Sequence, residues 1–363
     1  MKRRLTVAQR QALIKWGCFL LSTLLFLSAL AAVPYIVSVI PKASAKSRQN
    51  IFYGNAALAT DVPKYQLGAG EYDSPQENES FDPEGEFEPE EPIPIPEASE
   101  NDLPVTPSNL AWYTVSDNPS LNIINRTKFN ISLDEYIKKP FPIDCAIPDS
   151  EPLVLIIHTH GSESYLENGY DFYSPEETFR SLDAERGVVR IGEVLCEKLN
   201  SLGISTLHDK TMYDQTDFNR SYSYSRAGVQ AVLEKYPTVQ FVIDLHRDSV
   251  FDSDGKNIKP LTTLNGKECA QLMLVVGTNE GGSDHPNWRD NLTFATHLQQ
   301  KMNDLYPTLA RPLNLRSAAF NQALAKGSLL LEVGSCGNTL EEAENAILLF
   351  AQSYASLLKE NLK

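Results

Sequence analysis

Four short, largely apolar runs in the second half of the chain predict buried β-strands. They cover residues 153–157, 239–243, 272–276 and 329–331. Apolar runs without regular polar alternation are typical of strands that are covered on both faces of a sheet. Residues 121–125 predict an additional strand at the edge of that sheet.

Apolar residues recur at helical spacing between these runs. The spacing predicts helices over residues 185–201, 222–235 and 290–304. A last helix is predicted to begin after Thr339, because Thr339 and Glu342 form the Thr-x-x-Glu pattern of a capping box.

The alternation of strands and helices predicts the fold class of residues 108–363. It is an α/β domain with a single, mainly parallel sheet that is flanked by helices on both faces. The five cysteines, at positions 18, 145, 196, 269 and 336, include no C-x-x-C pair. The cysteines therefore indicate neither a zinc ribbon nor a disulfide framework.

The N-terminal part of the chain has a different pattern. Residues 17–40 are 24 consecutive positions without a charged side chain, which is long enough for a helix to cross a bilayer. The basic segment 1–16 that precedes them predicts a cytoplasmic N-terminus and an extracytoplasmic remainder. A cleaved signal peptide is the alternative, because Ala43-Ser44-Ala45 has the A-x-A form of a cleavage site.

The net charge of −15 is unevenly distributed. Residues 1–50 carry +8, residues 71–102 carry −13, and residues 103–363 carry −10. The acidic stretch is rich in Glu and Pro, which predicts a disordered linker over residues 41–107. A folded domain with an excess of acidic residues argues against nucleic-acid binding, which requires a basic face.

Polar side chains end three of the predicted strands. His158 and His160 follow the first run, His246 follows the second, and Glu332 comes directly after three leucines of the last. In a parallel sheet such ends meet at one edge. Imidazole and carboxylate groups that converge there suit Zn²⁺ with an open position for water. Glu185, at the start of the first predicted helix, fits a third ligand position.

Other residues near these strand ends have alternative roles. Glu163 is a reserve candidate for a metal ligand or an acid–base group, while Arg247 and Asp248 are candidates for binding substrate or supporting the ligands. Cys336 fits a small residue in a turn better than a thiol nucleophile. Gly161-Ser162-Glu163 lacks the G-x-S-x-G pattern of a serine hydrolase.

Six motifs in combination resemble the stage II sporulation protein P family. They are HTHGSESY, DAERGVVRIGEVL, HDKT, SYSRA, VIDLHRDS and LLLEVGSCGNTLEEA, and the resemblance extends from about residue 121 to the C-terminus. It implies a membrane-anchored peptidoglycan hydrolase that degrades cell wall during engulfment in endospore-forming bacteria. It further implies a location between the forespore and mother-cell membranes, with sporulation proteins D and M as partners.

The domain also resembles zinc-dependent N-acetylmuramoyl-L-alanine amidases. This resemblance implies a zinc ion held by His158 or His160, by Glu185 and by His246, with Glu332 as general base and then general acid. The amidase pattern of His followed by Gly favours His160, whereas the sporulation family has both histidines. The reaction implied is hydrolysis of the amide between muramic acid and L-alanine. The family resemblance implies endopeptidase cleavage of stem-peptide cross-links as well.

Two other functions are compatible with such a domain. One is a wall-binding or scaffold module that has lost catalysis, and the other is a zinc peptidase or deacetylase of a different family. Every candidate ligand is present in the sequence, which argues against the inactive module.

Overall fold

The computed structural model describes residues 97–111, 118–148 and 150–363. The predicted membrane helix, the basic segment before it and the first part of the predicted linker lie outside these residues. Among the described helices, none has both the length and the apolar character needed to cross a membrane.

The described residues form twelve strands and five α-helices. The strands are β1 (Leu103–Pro104), β2 (Thr106–Ser108), β3 (Ile123–Asn125), β4 (Val154–Ile157), β5 (Phe172–Tyr173), β6 (Thr206–His208), β7 (Phe241–Asp248), β8 (Ile258–Leu264), β9 (Lys267–Ala270), β10 (Leu272–Gly277), β11 (Leu313–Arg316) and β12 (Gly327–Ser335). The helices are α1 (Leu133–Tyr136), α2 (Val188–Ser201), α3 (Ser221–Lys235), α4 (Trp288–Leu305) and α5 (Leu340–Asn361). The strands and helices predicted between residues 121 and 363 are all present, and the capping box at Thr339 is confirmed.

The central sheet has seven strands in the order β3-β11-β10-β12-β7-β4-β6. All neighbouring pairs are parallel except β10 and β12, which are antiparallel. The prediction of an α/β fold with a mainly parallel sheet is therefore confirmed, with one reversal of direction. Because of this reversal, β7 and β12 end at the edge of the sheet where β10 and β11 begin.

The two faces of the sheet are covered differently. One face packs against α2, α4 and α5 in the main hydrophobic core. On the other face, α3 covers Leu155 and Val242 near β4 and β7. Farther along that face, Met273, Val275 and Leu330 form a small apolar cluster and line a groove. Within the described part of the chain, helices thus cover both faces over only part of the sheet, whereas the sequence predicted full coverage.

A β-hairpin beside the sheet was not predicted from the sequence. Strands β8 and β9 pair antiparallel through Asn265 and Gly266, whose φ angles are 51° and 77°. Asn-Gly is the residue pair that a two-residue hairpin turn favours, because both positions require positive φ. The local signal was therefore present in the sequence.

Two short strands, β1 and β2, come just before or at the predicted domain boundary at residue 108. Leu103 pairs with Tyr173, and Thr106 pairs with Ile258. Val105 is buried between these two short strands. Proline is tolerated in short edge strands, so the prolines in β1 and β2 are compatible with this pairing.

Phe294 tests the packing of the main core, because it contacts aromatic rings from three other parts of the chain. Its side chain is fully buried in α4. We expect Phe294→Ala to lower the free energy of unfolding by about 3–5 kcal/mol, through lost burial and the cavity that remains. Urea unfolding of the full chain measures the change. Leu305→Ala in the same helix is the control, and an equal loss there would contradict the packing described.

Candidate metal centre

Strands β4, β7 and β12 bring polar side chains to one edge of the central sheet. His160 and Glu163 lie in the loop after β4, where the Glu163 N–H donates to the His160 carbonyl oxygen over 3.2 Å. His246 lies in the second half of β7, and Glu332 is its direct partner in β12. The strand ends that the sequence singled out therefore meet at a common point.

His160, Glu163 and His246 form a group that can hold a metal ion. Each offers a ligand atom, and these atoms all lie within 4.8 Å of one another. The Nδ1 atom of His246 is 3.2 Å from Glu163 Oε2, and the Nδ1 atom of His160 is 3.6 Å from Glu163 Oε1. Two imidazoles and one carboxylate are a ligand set of catalytic zinc sites, which keep a further position open.

Asp244 orients the imidazole of His246. Its Oδ1 atom lies 2.9 Å from His246 Nε2, on the side of the ring away from Glu163. The aspartate is itself fixed, because the Thr159 N–H and hydroxyl donate to its two oxygens over 2.8 and 2.7 Å. A carboxylate behind a ligand histidine is the usual support of a metal site. No role was predicted for Asp244 from the sequence, although residues two apart in a strand share a face.

The group is electrostatically balanced as a buried ion pair. Burial raises the pKa of Glu163, but the charge of His246 and hydrogen bonds from both histidines bring it well below its usual range. Burial lowers the pKa of His246, but the carboxylates of Asp244 and Glu163 raise it well above its usual range. The protonated ring of His246 therefore places a positive charge between the buried carboxylates of Asp244 and Glu163. A divalent cation held by the same atoms fits this role, with release of the proton.

Glu332 lies beside this group without being part of it. The side chain is half-buried, and its Oε2 atom is buried with no hydrogen-bond partner among the described residues. Burial and the neighbouring Asp248 carboxylate raise the pKa of Glu332 to about 8. A carboxyl group with a pKa near neutrality can both accept and donate a proton, which suits general acid–base chemistry.

Arg247 supports the metal group, which is one of the two roles for which the sequence made it a candidate. Arg247 follows His246 in β7, so its side chain lies on the opposite face of the sheet. Its guanidinium donates to the carbonyl oxygens of Ser164 and Phe179 over 3.1 and 2.8 Å. The backbone N–H of Arg247 donates to Glu163 Oε2 over 3.1 Å. Arg247 therefore holds the loop that carries Glu163, and its guanidinium does not line the groove of the metal group.

His158 lies outside the metal group. It is fully buried, with Nδ1 3.0 Å from the Leu245 carbonyl oxygen and Nε2 2.8 Å from His208 Nε2. Burial and the neighbouring His208 lower the pKa of His158 to about 3. Between the two histidines that the sequence left open, the geometry favours His160 as the ligand.

Glu185 is not brought to the metal group either. Its side chain is 75% exposed and lies 3.8 Å from Arg190, which follows it on α2. Glu163 occupies the third ligand position instead, three residues after His160. Glu163 is the reserve candidate of the sequence, and its His-x-x-Glu spacing from His160 is the local signal for this role.

Arg180 is a further residue that the sequence analysis missed. Its guanidinium lies 3.6 Å from Glu163 Oε1 and 2.9 Å from Asp214 Oδ2. The same guanidinium covers the ring of Phe218, which in turn stacks on His160 with 4.6 Å between ring centroids. Arg180 thus supports both candidate ligands of the loop after β4. It lies close to Glu163 directly, and it contacts His160 through the ring of Phe218.

Comparison with known protein families finds a match to the family model described as Stage II sporulation protein P (SpoIIP), over residues 57–355. Among curated proteins, stage II sporulation protein P of Bacillus subtilis (strain 168) is 29% identical over 216 residues. That alignment covers 56% of this chain and 51% of the relative. The chain therefore spans about half the length of the curated relative that it matches.

Two solved structures illustrate the matches among known folds. The CwlD amidase from Clostridioides difficile, in complex with the GerS lipoprotein, is 10% identical with a TM-score of 0.37, over 58% of this chain and 98% of that chain. The N-acetylmuramoyl-L-alanine amidase AmiC2 of Nostoc punctiforme is 12% identical with a TM-score of 0.33, over 58% and 97%.

The choice between the two histidines can be tested by metal content. We expect His160→Ala to lose the metal, because it removes a ligand, and His158→Gln to keep it, although the change disturbs buried hydrogen bonds. Mass spectrometry of the purified full chain measures bound metal, with circular dichroism to verify folding. Loss of metal from a folded His158→Gln variant, or retention in His160→Ala, would contradict the geometry.

The role of Asp244 can be tested by metal affinity. Asp244→Asn keeps the shape but removes the charge behind His246, so we expect metal affinity to fall by about 10- to 100-fold. Competition with a chromogenic chelator measures the affinity. The matched control is Asp284→Asn at an exposed position. Equal affinities for wild type and Asp244→Asn would show that His246 does not depend on this carboxylate.

Proposed function

The chain belongs to the stage II sporulation protein P family, and on this basis we propose that it is a zinc-dependent peptidoglycan hydrolase. The observation that carries the proposal is the convergence of His160, Glu163 and His246 within 4.8 Å, with Glu332 paired beside His246. These residues combine a ligand set for a metal ion with a separate acid–base group.

Amide hydrolysis requires activation of water and protonation of the leaving amine. When bound by the two histidines and Glu163, Zn²⁺ supplies Lewis-acid activation of the scissile carbonyl and of water. Glu332 accepts the proton of the attacking water and delivers it to the departing amine. Its Oε2 atom is free for this exchange, since no described residue hydrogen-bonds to it.

Supporting residues keep these groups in place during the reaction. Asp244 holds the ring of His246, and the backbone N–H of Arg247 holds Glu163. Arg180 supports the loop after β4 through its ion pairs with Glu163 and Asp214. A site held by fixed hydrogen bonds and ion pairs needs little rearrangement when charge develops in the transition state.

The bond we propose is the amide between N-acetylmuramic acid and L-alanine, with cleavage of peptide cross-links as a further activity. Both are amide bonds, so one metal centre and one acid–base group serve for either. We further propose that residues 17–40 anchor the chain, that the catalytic domain lies outside the cytoplasmic membrane, and that it acts in engulfment with sporulation proteins D and M. The apolar N-terminal run and the family membership support this assignment.

Substitution of Glu332 tests the mechanism. We expect Glu332→Gln to reduce hydrolysis of purified peptidoglycan by about 10²- to 10⁴-fold, because the amide cannot transfer the proton. Bound metal is expected to remain unchanged, since Glu332 is not a ligand. The control is Glu341→Gln, at an exposed position on α5. Mass spectrometry of the products distinguishes muramoyl-amide cleavage from cross-link cleavage.

Removal of the metal with a chelator is a second test of the mechanism. Removal of the metal is expected to abolish hydrolysis, and added Zn²⁺ is expected to restore it. Activity that survives complete chelation, or full activity of Glu332→Gln, would exclude the proposed mechanism. Tight binding to peptidoglycan without any cleavage would instead favour a wall-binding module.

A further inference from the structure

The groove that contains the candidate metal centre has a second, positively charged wall. The groove has a volume of about 350 Å³ and is lined by both histidines of the metal group, Glu163 and Glu332. Its opposite side is lined by Arg126, Arg311, Asn314 and Arg316. The reversal between β10 and β12 brings Arg311, just before β11, to the edge where β7 and β12 end. Asn314 and Arg316 continue the lining along β11. We call these four residues the arginine wall.

Arg311 is the buried part of the arginine wall. The residue is 9% exposed, and its Nη2 atom donates to Asp248 Oδ2 over 2.8 Å. Its Nη1 atom is buried and has no partner among the described residues. A buried charged donor without a partner is costly, so a guanidinium with one paired and one unpaired nitrogen indicates a place for an acceptor.

Asn314 and the two outer arginines extend this wall. Asn314 and Arg316 are two apart in β11 and therefore share the face that lines the groove. Arg126 is tied to the same strand, since its N–H donates to the Leu315 carbonyl oxygen over 2.9 Å. Arg126 and Arg316 are exposed, and neither lies within 4.0 Å of a carboxylate among the described residues.

The carboxylates of the groove do not neutralise these outer arginines. Asp248 is paired with Arg311, and Glu163 is held by the two histidines of the metal group and by Arg180. Glu332 lies across from His246 in the sheet. The groove therefore has an acidic centre for the metal group and a basic wall beside it.

We propose that the arginine wall binds a free carboxylate of the stem peptide while the scissile amide lies at the metal group. This inference rests on the proposed function and adds the chemistry by which the substrate is recognised. Stem peptides carry free carboxylates at their acidic residues and C-terminus. Guanidinium groups bind carboxylates through paired, charge-assisted hydrogen bonds, which give both affinity and orientation.

Binding of two matched ligands tests the arginine wall independently of catalysis. The ligands are a muramoyl peptide with free carboxylates and the same compound with every carboxylate converted to carboxamide. Titration calorimetry on the full chain, with Glu332→Gln introduced to prevent turnover, gives both Kd values. We expect the carboxylate form to bind about tenfold or more tightly, as expected for hydrogen bonds to a charged group.

Substitution of the exposed arginines tests whether their side chains cause the preference for the carboxylate ligand. We expect Arg126→Gln with Arg316→Gln to reduce this carboxylate preference by about threefold or more, because these side chains carry the unpaired charge and only the free donor of Arg311 remains. The matched control is Arg226→Gln, an exposed arginine on α3 that does not line the groove. It is expected to keep the full preference. Arg311 is left intact, since its pairing with Asp248 contributes to folding.

The outcomes separate this inference from the proposed function. If the otherwise unsubstituted chain hydrolyses peptidoglycan but the Glu332→Gln chain binds both ligands equally, the arginine wall has no such role and the hydrolase proposal stands. If no hydrolysis occurs but binding is selective for the carboxylate and this selectivity falls in the double variant, the hydrolase proposal fails and the carboxylate site stands. A preference that is not reduced in the double variant contradicts the inference in either case.

Discussion

Parallel pairing of β7 with β12 is the interaction on which the candidate centre depends. The register places Glu332 opposite His246 and Leu330 opposite Asp244. Because side chains alternate between the two faces of a sheet, a shift of one residue would move these groups into the apolar core. Leu245 and Leu331, buried on the other face, make such a shift unfavourable. Ordinary hydrophobic burial thus determines where the acid–base group lies relative to the metal group.

The same edge of the sheet concentrates buried charge that other residues must balance. Glu163 accepts from the backbone N–H of Arg247 and lies close to His246 and Arg180. Asp244 accepts two hydrogen bonds from Thr159. Buried carboxylates that lacked these partners would be strongly destabilising. The network therefore stabilises the fold at this edge and fixes the geometry of the candidate site at once.

Much of the fold and part of the site followed from local patterns. Largely apolar runs predicted the central strands, and the polar residues at their ends predicted the convergence of His160, His246 and Glu332. Glu185 was preferred over Glu163 because it lies at a predicted helix start, where the resemblance to zinc amidases implies a ligand glutamate. The path of that loop depends on contacts with β7 and with Arg180, which are distant in sequence. The residues next to Glu163 in the sequence form no pattern that indicates those contacts.

The sequence by itself determined the fold class, the strand ends that carry chemistry and the family resemblance, because these depend on residue type and short-range spacing. Only the tertiary structure decided that His158 faces the buried side near His208, that Glu185 faces solvent and that Arg311 borders the groove. The position of His158 depends on strand order, which places β4 between β7 and β6, and that of Arg311 depends on the antiparallel β10–β12 pair. Strand order arises from packing between segments far apart in the chain, and period-two and period-3.6 patterns carry no information about it.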